Sequence, residues 1–327
     1  MLNKTIRSNR LLLMAAVGAM TTALGATACS GSSTDTAATP ATSAISTQEW
    51  AAASANASQS VQTNLVTLVS DKPFDATIDA LKQSVSSNGM MVLGELDQAG
   101  ALQTTGLQLK GAHSFFVGNP AAGKMFFEQT PAIGAAIPLR MFVWADNDGN
   151  TSISYFDPKP LFEAVSPGLT DGGQKMSDAA AMIAEAAAGG EGQSQRGSAQ
   201  DATLVTVDAK GSFEDTMNTV KQAVSSNGMM VLGELDQAGA LQTTGLQLKG
   251  AHSFFVGNPA AGKMFFEQTP AIGTVIPVRL LVWADNDGKS HVSYFDPAPL
   301  FTAVDPQLAD GGKQMSDAMA MITNAVK

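Results

Sequence analysis

The chain has 327 residues, 44% of them hydrophobic and 15% charged, with a formal net charge of -10 at pH 7. That length suits more than one compact domain, and the acidic surplus repels phosphate backbones, which excludes nucleic acid as an expected partner. One cysteine in the whole chain excludes an internal disulfide framework and any zinc site built on several cysteines.

At the N-terminus, MLNKTIRSNR carries Lys4, Arg7 and Arg10, and LLLMAAVGAMTTALGATA follows without a charge. A basic segment, an apolar segment and small residues before Cys29 read as a secretory signal over residues 1–28, not as a mature membrane span. Ala26, Thr27, Ala28 and Cys29 resemble a bacterial lipobox, with Ala26 where leucine is commoner. That resemblance implies that the Cys29 thiol takes a diacylglycerol. The partner is then a membrane reached through lipid, on the outer side of the cytoplasmic membrane or in the outer membrane. Residues 29–60 are Ser, Thr, Ala and Gln with few apolar groups, too little to offset the entropy of ordering, and are expected to be a flexible tether.

Beyond the tether the chain repeats. Val85 to Gly134 recurs without a change as Val224 to Gly273, 139 positions later. The flanks match more loosely: FDATIDALKQ with FEDTMNTVKQ, and IPLRMFVWADNDG with IPVRLLVWADNDG. The unit is too long for a solenoid repeat and right for one compact domain. We place the first copy at residues 61–187 and the second at 202–327. A small, polar linker is expected between them, at residues 188–201.

In chain order, LVTLVS from Leu65 alternates and predicts a strand. Phe74, Ile78, Leu81 and Val85 are spaced for one helix face, ended by Asn88-Gly89. MMVLGELD and HSFFVG predict strands, and PAAGKMFFEQT a short helix with Pro120 at its start. IPLRMFVWA and TSISYFD predict two strands joined at Asn147-Asp148-Gly149. PLFEAV and SDAAAMIAEA predict helices, the latter with Ser177 as N-cap. The order is β-α-β-β-α-β-β-α, an α+β domain with a mostly antiparallel sheet.

The runs ELDQAGALQTTGLQL, FFVGNPAAGKMFFEQTPAIG and IPLRMFVWADNDGNTSISYFDP resemble the family known as domain of unknown function 302, over about Leu65 to Val165 and again Leu204 to Val304. Its marks here are Gly-Asn-Pro after a strand, a Pro-x-Arg strand start and a Tyr-x-Asp-Pro ending. The resemblance implies a TATA-binding-protein-like fold, a curved antiparallel sheet with helices on one face, in each of two tandem domains. It implies no reaction. Family members often carry histidine where this chain has Gln98 and Gln237, which removes a proton-transfer group from that position.

Several motifs invite chemistry. GNPAAGKM, at Gly118 and again at Gly257, nearly matches a phosphate-binding loop, but Met125 stands where a Mg²⁺-binding hydroxyl belongs and Pro120 removes an N–H. A strand-to-helix turn is expected instead. WADNDGN fits a hairpin turn better than a calcium loop. The three histidines are too few per copy for a zinc site, and solvent-facing positions at strand edges are expected. The methionines are expected in the core and not on copper. Glu95 and Asp97 share a strand face and could raise one carboxyl pKa.

No catalytic set, resident metal or cofactor emerges. The expected role is binding of a small ligand or an envelope protein. Candidate ligand-binding residues are Asp97, Asn119, Lys124 and Asp157, with their counterparts Asp236, Asn258, Lys263 and Asp296. Near-identical faces suit a two-fold contact between the copies as an intramolecular pseudo-dimer. The alternatives are an enzyme using those carboxylate and anion-binding groups, and a structural spacer.

Overall fold

The computed structural model describes residues 60–190 and 194–327, so the signal segment, Cys29 and nearly all of the tether lie outside the described residues. The first copy begins with β1 (Ser60–Thr63) and β2 (Leu65–Val69). It continues through α1 (Phe74–Ser87), β3 (Met91–Asp97), α2 (Gln98–Gln103), β4 (Ala112–Gly118), α3 (Pro120–Gln129), β5 (Leu139–Ala145) and β6 (Thr151–Phe156), and ends with α4 (Pro158–Val165) and α5 (Thr170–Ala188). The second copy repeats this order as β7 (Ser194–Arg196), β8 (Gln200–Asp208), α6 (Phe213–Ser226), β9 (Met230–Asp236), α7 (Gln237–Gln242), β10 (Ala251–Gly257), α8 (Pro259–Gln268), β11 (Val278–Ala284), β12 (Ser290–Phe295), α9 (Pro297–Val304) and α10 (Ala309–Asn324).

Each copy builds a six-stranded sheet, one ordered β3-β4-β5-β6-β2-β7 and the other β9-β10-β11-β12-β8-β1, with every pairing antiparallel. This is the α+β architecture expected from the element order. On the outer face of the first sheet, Phe115, Met141 and Ile153 pack against Leu81 and Val85 of α1 and Ile183 of α5, all buried. Helix α1 stops where predicted, because Gly89 at φ +67 takes a conformation that other residues resist.

Helix α5 differs from expectation: it begins at Thr170, so Ser177 lies inside it and is not its N-cap. The Ser177 hydroxyl instead bonds Asp157 and accepts the Lys159 N–H at 2.9 Å, completing the cap of α4. The earlier start runs through Gly172 and Gly173, poor helix formers that close packing requires. A Cβ on Gly172 would stand 2.3 Å from Phe126, and one on Gly173 2.8 Å from Lys159 and Phe162.

The inner faces of the two sheets meet. Phe116 stacks on its counterpart Phe255 at 4.3 Å between centroids. Phe142 lies over Gly273 and Leu281 over Gly134, where a Cβ would come within 2.2 and 2.9 Å respectively. The copies also exchange strands. β1 joins the sheet of the second copy through β8, and β7, within residues 188–201, joins the sheet of the first through β2. In the β1–β8 ladder Gln62 pairs with Asp201, its own counterpart, while Val61↔Ala202 and Thr63↔Gln200 are mates of one another. That register places a pseudo-two-fold axis through the ladder.

Candidate functional site

Among the apolar residues of β5, LRMFVWA, Arg140 is the single charge, and the period of two sends it to the inner face with Phe142 and Trp144. The β4–β5 register sets Arg140 opposite Phe116, and the β10–β11 register sets Arg279 opposite Phe255. Because the two phenylalanines stack across the axis, both guanidinium groups reach both rings. Arg140 lies 5.4 and 5.6 Å from the Phe116 and Phe255 centroids, and Arg279 5.4 and 5.5 Å from them. Each arginine therefore makes a cation–π contact with each copy.

The arginines also clamp the copies together. Arg140 donates from Nη1 to the carbonyls of Thr274 and Val275 at 3.2 and 2.8 Å, and from Nη2 to Pro277 at 2.6 Å. Arg279 reaches back to the matching loop of the first copy, to Gly134, Ala135 and Pro138 at 3.4, 3.3 and 2.6 Å. The Ile137–Pro138 and Ile276–Pro277 peptides of these loops are cis. Among the described residues no carboxylate pairs with either arginine, and neither Nε–H has a protein acceptor. Burial pulls both guanidinium groups down to about 9, with the like charge of Arg279 adding to the shift at Arg140.

Both arginines line a cleft of about 90 Å³ on the pseudo-two-fold axis. Its remaining wall is mostly apolar: Leu139, Phe156 and Leu161 from the first copy, with Val278, Phe295 and Leu300 at the same positions in the second. The cleft thus combines charge-assisted donors with an apolar wall. Nearby, Gln98 and Gln237 are buried and reach across the axis, Gln98 to the carbonyls of Gly273 and Ile276 and Gln237 to those of Gly134 and Ile137. These two amides tie each copy to the loop of the other.

The eight polar residues singled out from the sequence lie elsewhere, and six of them cap helices. Asp97 accepts the Gly100 N–H of α2 at 2.8 Å, and Asp236 does the same for α7. Asn119 accepts the Ala121 and Ala122 N–H groups of α3, as Asn258 does for α8. Asp157 holds the start of α4 and also binds Arg196 at 2.9 Å, while Asp296 holds the start of α9 with Ser316. Lys124 reaches the Thr244 carbonyl and Lys263 the Thr105 carbonyl, each in the opposite copy, at 3.4 Å.

Asn258 and Lys263 line a second, shallow groove of about 390 Å³ with Thr104, Thr105 and Met230. It is larger than the arginine cleft, but Asn258 already satisfies the helix N–H groups and Lys263 is shared between Thr105 and Glu267.

The other candidate motifs take structural roles. Asp146 accepts the N–H groups of Asp148, Gly149 and Asn150, which is the hairpin turn expected of WADNDGN. Glu95 is held by Lys82 at 2.9 Å, with His113 Nε2 3.2 Å away. His291, expected to face solvent, is instead 5% exposed, stacked on Trp283 and placed between Asp208 and Asp285. Among the described residues there is no cluster of three or more His, Cys, Asp or Glu side chains suited to a metal. No helix among them is long and apolar enough to cross a membrane.

These features define a tandem α+β protein whose two copies share an inner core and enclose a basic cleft between them. Residues 66–188 and 205–326 each match the family Domain of unknown function DUF302, and the chain belongs to that family. Among curated proteins it is similar to the "Fluoride-specific ion channel FluC 1" of Brucella suis biovar 1 (strain 1330), 33% identical over 98 residues, which are 30% of this chain and 39% of that protein. A protein of the same name from Brucella abortus biovar 1 (strain 9-941) matches at 33% over 98 residues, 36% of its length. The chain thus spans less than two fifths of either of these relatives. A solved structure titled "Crystal structure of uncharacterized conserved protein DUF302 from Bacillus stearothermophilus" is 21% identical, covers 38% of this chain and 98% of its own, and has a TM-score of 0.36.

Proposed function

We propose that this chain is a cell-envelope binding protein, anchored through acylated Cys29, whose two copies act as one module holding a small ligand in the cleft on their pseudo-two-fold axis. The observation that carries this is the cleft itself. It is built equally by both copies and lined by two arginines that no carboxylate among the described residues neutralises. A concave, mostly apolar site with a few convergent polar groups is the usual form of a small-molecule site. The tether of residues 29–60 then serves to hold the module clear of the lipid. The second groove, with Asn258 and Lys263, is the alternative ligand position, favoured only by its larger volume. The curated relatives are named as fluoride-specific channels, which makes fluoride one ligand to be assayed.

Native mass spectrometry of the mature protein against a small-molecule library tests the module. One ligand per chain is expected, lost when Leu161→Trp fills the apolar half of the cleft. Two ligands per chain, or binding indifferent to that plug, would contradict it. Cys29→Ser tests the anchor: the variant is expected to move from the detergent phase to the aqueous phase and to lack the acyl mass.

A further inference from the structure

Resting on the cleft as the ligand site, we infer that its ligand is a short organic carboxylate whose charged end lies between Arg140 and Arg279 and whose apolar end lies against the leucine and phenylalanine wall. Three observations converge. First, each guanidinium is used on only two of its nitrogens. Nη1 and Nη2 hold the carbonyls of the opposite loop, and Nε–H lacks a protein acceptor among the described residues while the side chain lines the cleft. That Nε–H is a charge-assisted donor suited to a carboxylate oxygen.

Second, two cations face one space with no acidic neighbour among the described residues. The surrounding carbonyls and the paired rings of Phe116 and Phe255 offset the charge only in part, so an anion entering the cleft relieves both the burial of each cation and their mutual repulsion. Third, the size and wall decide which anion. A space of about 90 Å³ exceeds what a single water needs, roughly 10–15 Å³ on the same kind of measure. A halide would leave most of it unfilled and would gain nothing from Phe156, Leu161, Phe295 and Leu300. A tetrahedral dianion such as phosphate would lose its hydration against that wall. A carboxylate with a body of about two to four carbons fills the cleft and matches both ends.

The pseudo-symmetry adds a constraint. The cleft lies on the axis, so one ligand is shared by both arginines and the expected stoichiometry is one per chain rather than one per copy.

Titration calorimetry on the full mature chain, in a buffer free of carboxylates, tests this with sodium propionate, propionamide, sodium chloride and sodium fluoride. Propionate is expected to bind at one site per chain, at least tenfold more tightly than propionamide, chloride or fluoride. Arg140→Lys and Arg279→Lys keep the charge and lose the Nε–H donor; each is expected to weaken propionate at least tenfold. Leu161→Trp, which leaves both arginines in place, is expected to weaken propionate and leave the circular-dichroism spectrum unchanged. Propionamide binding as tightly as propionate would overturn the anionic class, and equal binding of fluoride or chloride would overturn the carboxylate class; both results leave the cleft as the ligand site. Propionate binding unaffected by all three variants would overturn the placement. No binding by any of the four probes would overturn the inference and the cleft together.

Discussion

The shared inner core makes a strong prediction about cooperativity, carried by Phe116. This ring is 2% exposed, stacks on Phe255 at 4.3 Å and lies within 5.4 Å of both guanidinium groups. Truncating such a phenylalanine to alanine typically costs about 3–5 kcal/mol, against a total stability of about 5–15 kcal/mol for a folded domain. Phe116→Ala and Phe255→Ala each remove one ring of the stack, and the double variant removes nothing further from it. The two changes are therefore expected to sum to about 0.5–1.5 kcal/mol more than the double variant loses, the usual worth of an aromatic pair beyond its burial. The assay is urea unfolding followed by tryptophan fluorescence. Trp144 and Trp283 occupy the same position in the two copies and each binds a serine hydroxyl at 2.9 Å. In a Trp50→Phe background, Trp144→Phe leaves Trp283 as the signal from the second copy, and Trp283→Phe leaves Trp144 as the signal from the first. One common midpoint is expected from both. Separate midpoints, or a coupling of zero, would refute a core shared between the copies.

Other outcomes follow from single contacts. Gly273→Ala drives a methyl to 2.2 Å from the Phe142 ring and is expected to lower stability by about 1–3 kcal/mol. Gly245→Ala, at φ +81 with nothing within 4 Å, is expected to cost only the backbone strain of about 1–2 kcal/mol; thermal melts of the pair separate the two mechanisms. Asp157→Ala removes the cap of α4 together with the Ser177 and Arg196 bonds, and a loss of about 0.5–2 kcal/mol is expected for the cap alone by urea titration. The hydrogen bond from Lys289, with His291 adding, holds the Asp208 carboxyl below its usual range against the opposing effect of burial. A depressed folded pKa stabilises above the unfolded value of about 3.9 and ceases to do so as pH falls through the folded one. Asp208→Asn is therefore expected to lower the melting temperature at pH 7 and to differ less from the parent below pH 4. An offset independent of pH would refute that origin.

The elements were legible in the sequence because each is locally specified. The Leu81 and Val85 spacing, the Asn88-Gly89 stop and the Asp146 turn all act within a few residues, and each forms where expected. What was not legible depends on packing between segments far apart in the chain. Ser177 looks like a helix start until Phe126 and Phe162 are placed against Gly172 and Gly173. The strands β1 and β7 carry little apolar pattern, since each is specified by the edge of the other copy's sheet. The arginine pair was missed as a site for the same reason. Its signal, one charge inside each of LRMFVWA and VRLLVWA, is visible, but the acceptors lie more than 130 residues away in sequence. The polar residues that stood out instead, Asp97, Asn119, Asp157 and their counterparts, are the types that favour helix N-caps, and capping is how the fold uses them.

The most direct measurement is a crystal structure of the mature protein grown with 3-bromopropionate, with data collected at the bromine absorption edge. One anomalous peak per chain is predicted, on the pseudo-two-fold axis against Phe156 and Phe295, with the carboxylate between Arg140 and Arg279. Two equivalent peaks, one inside each copy, or a peak only in the groove beside Asn258 and Lys263, would contradict the account.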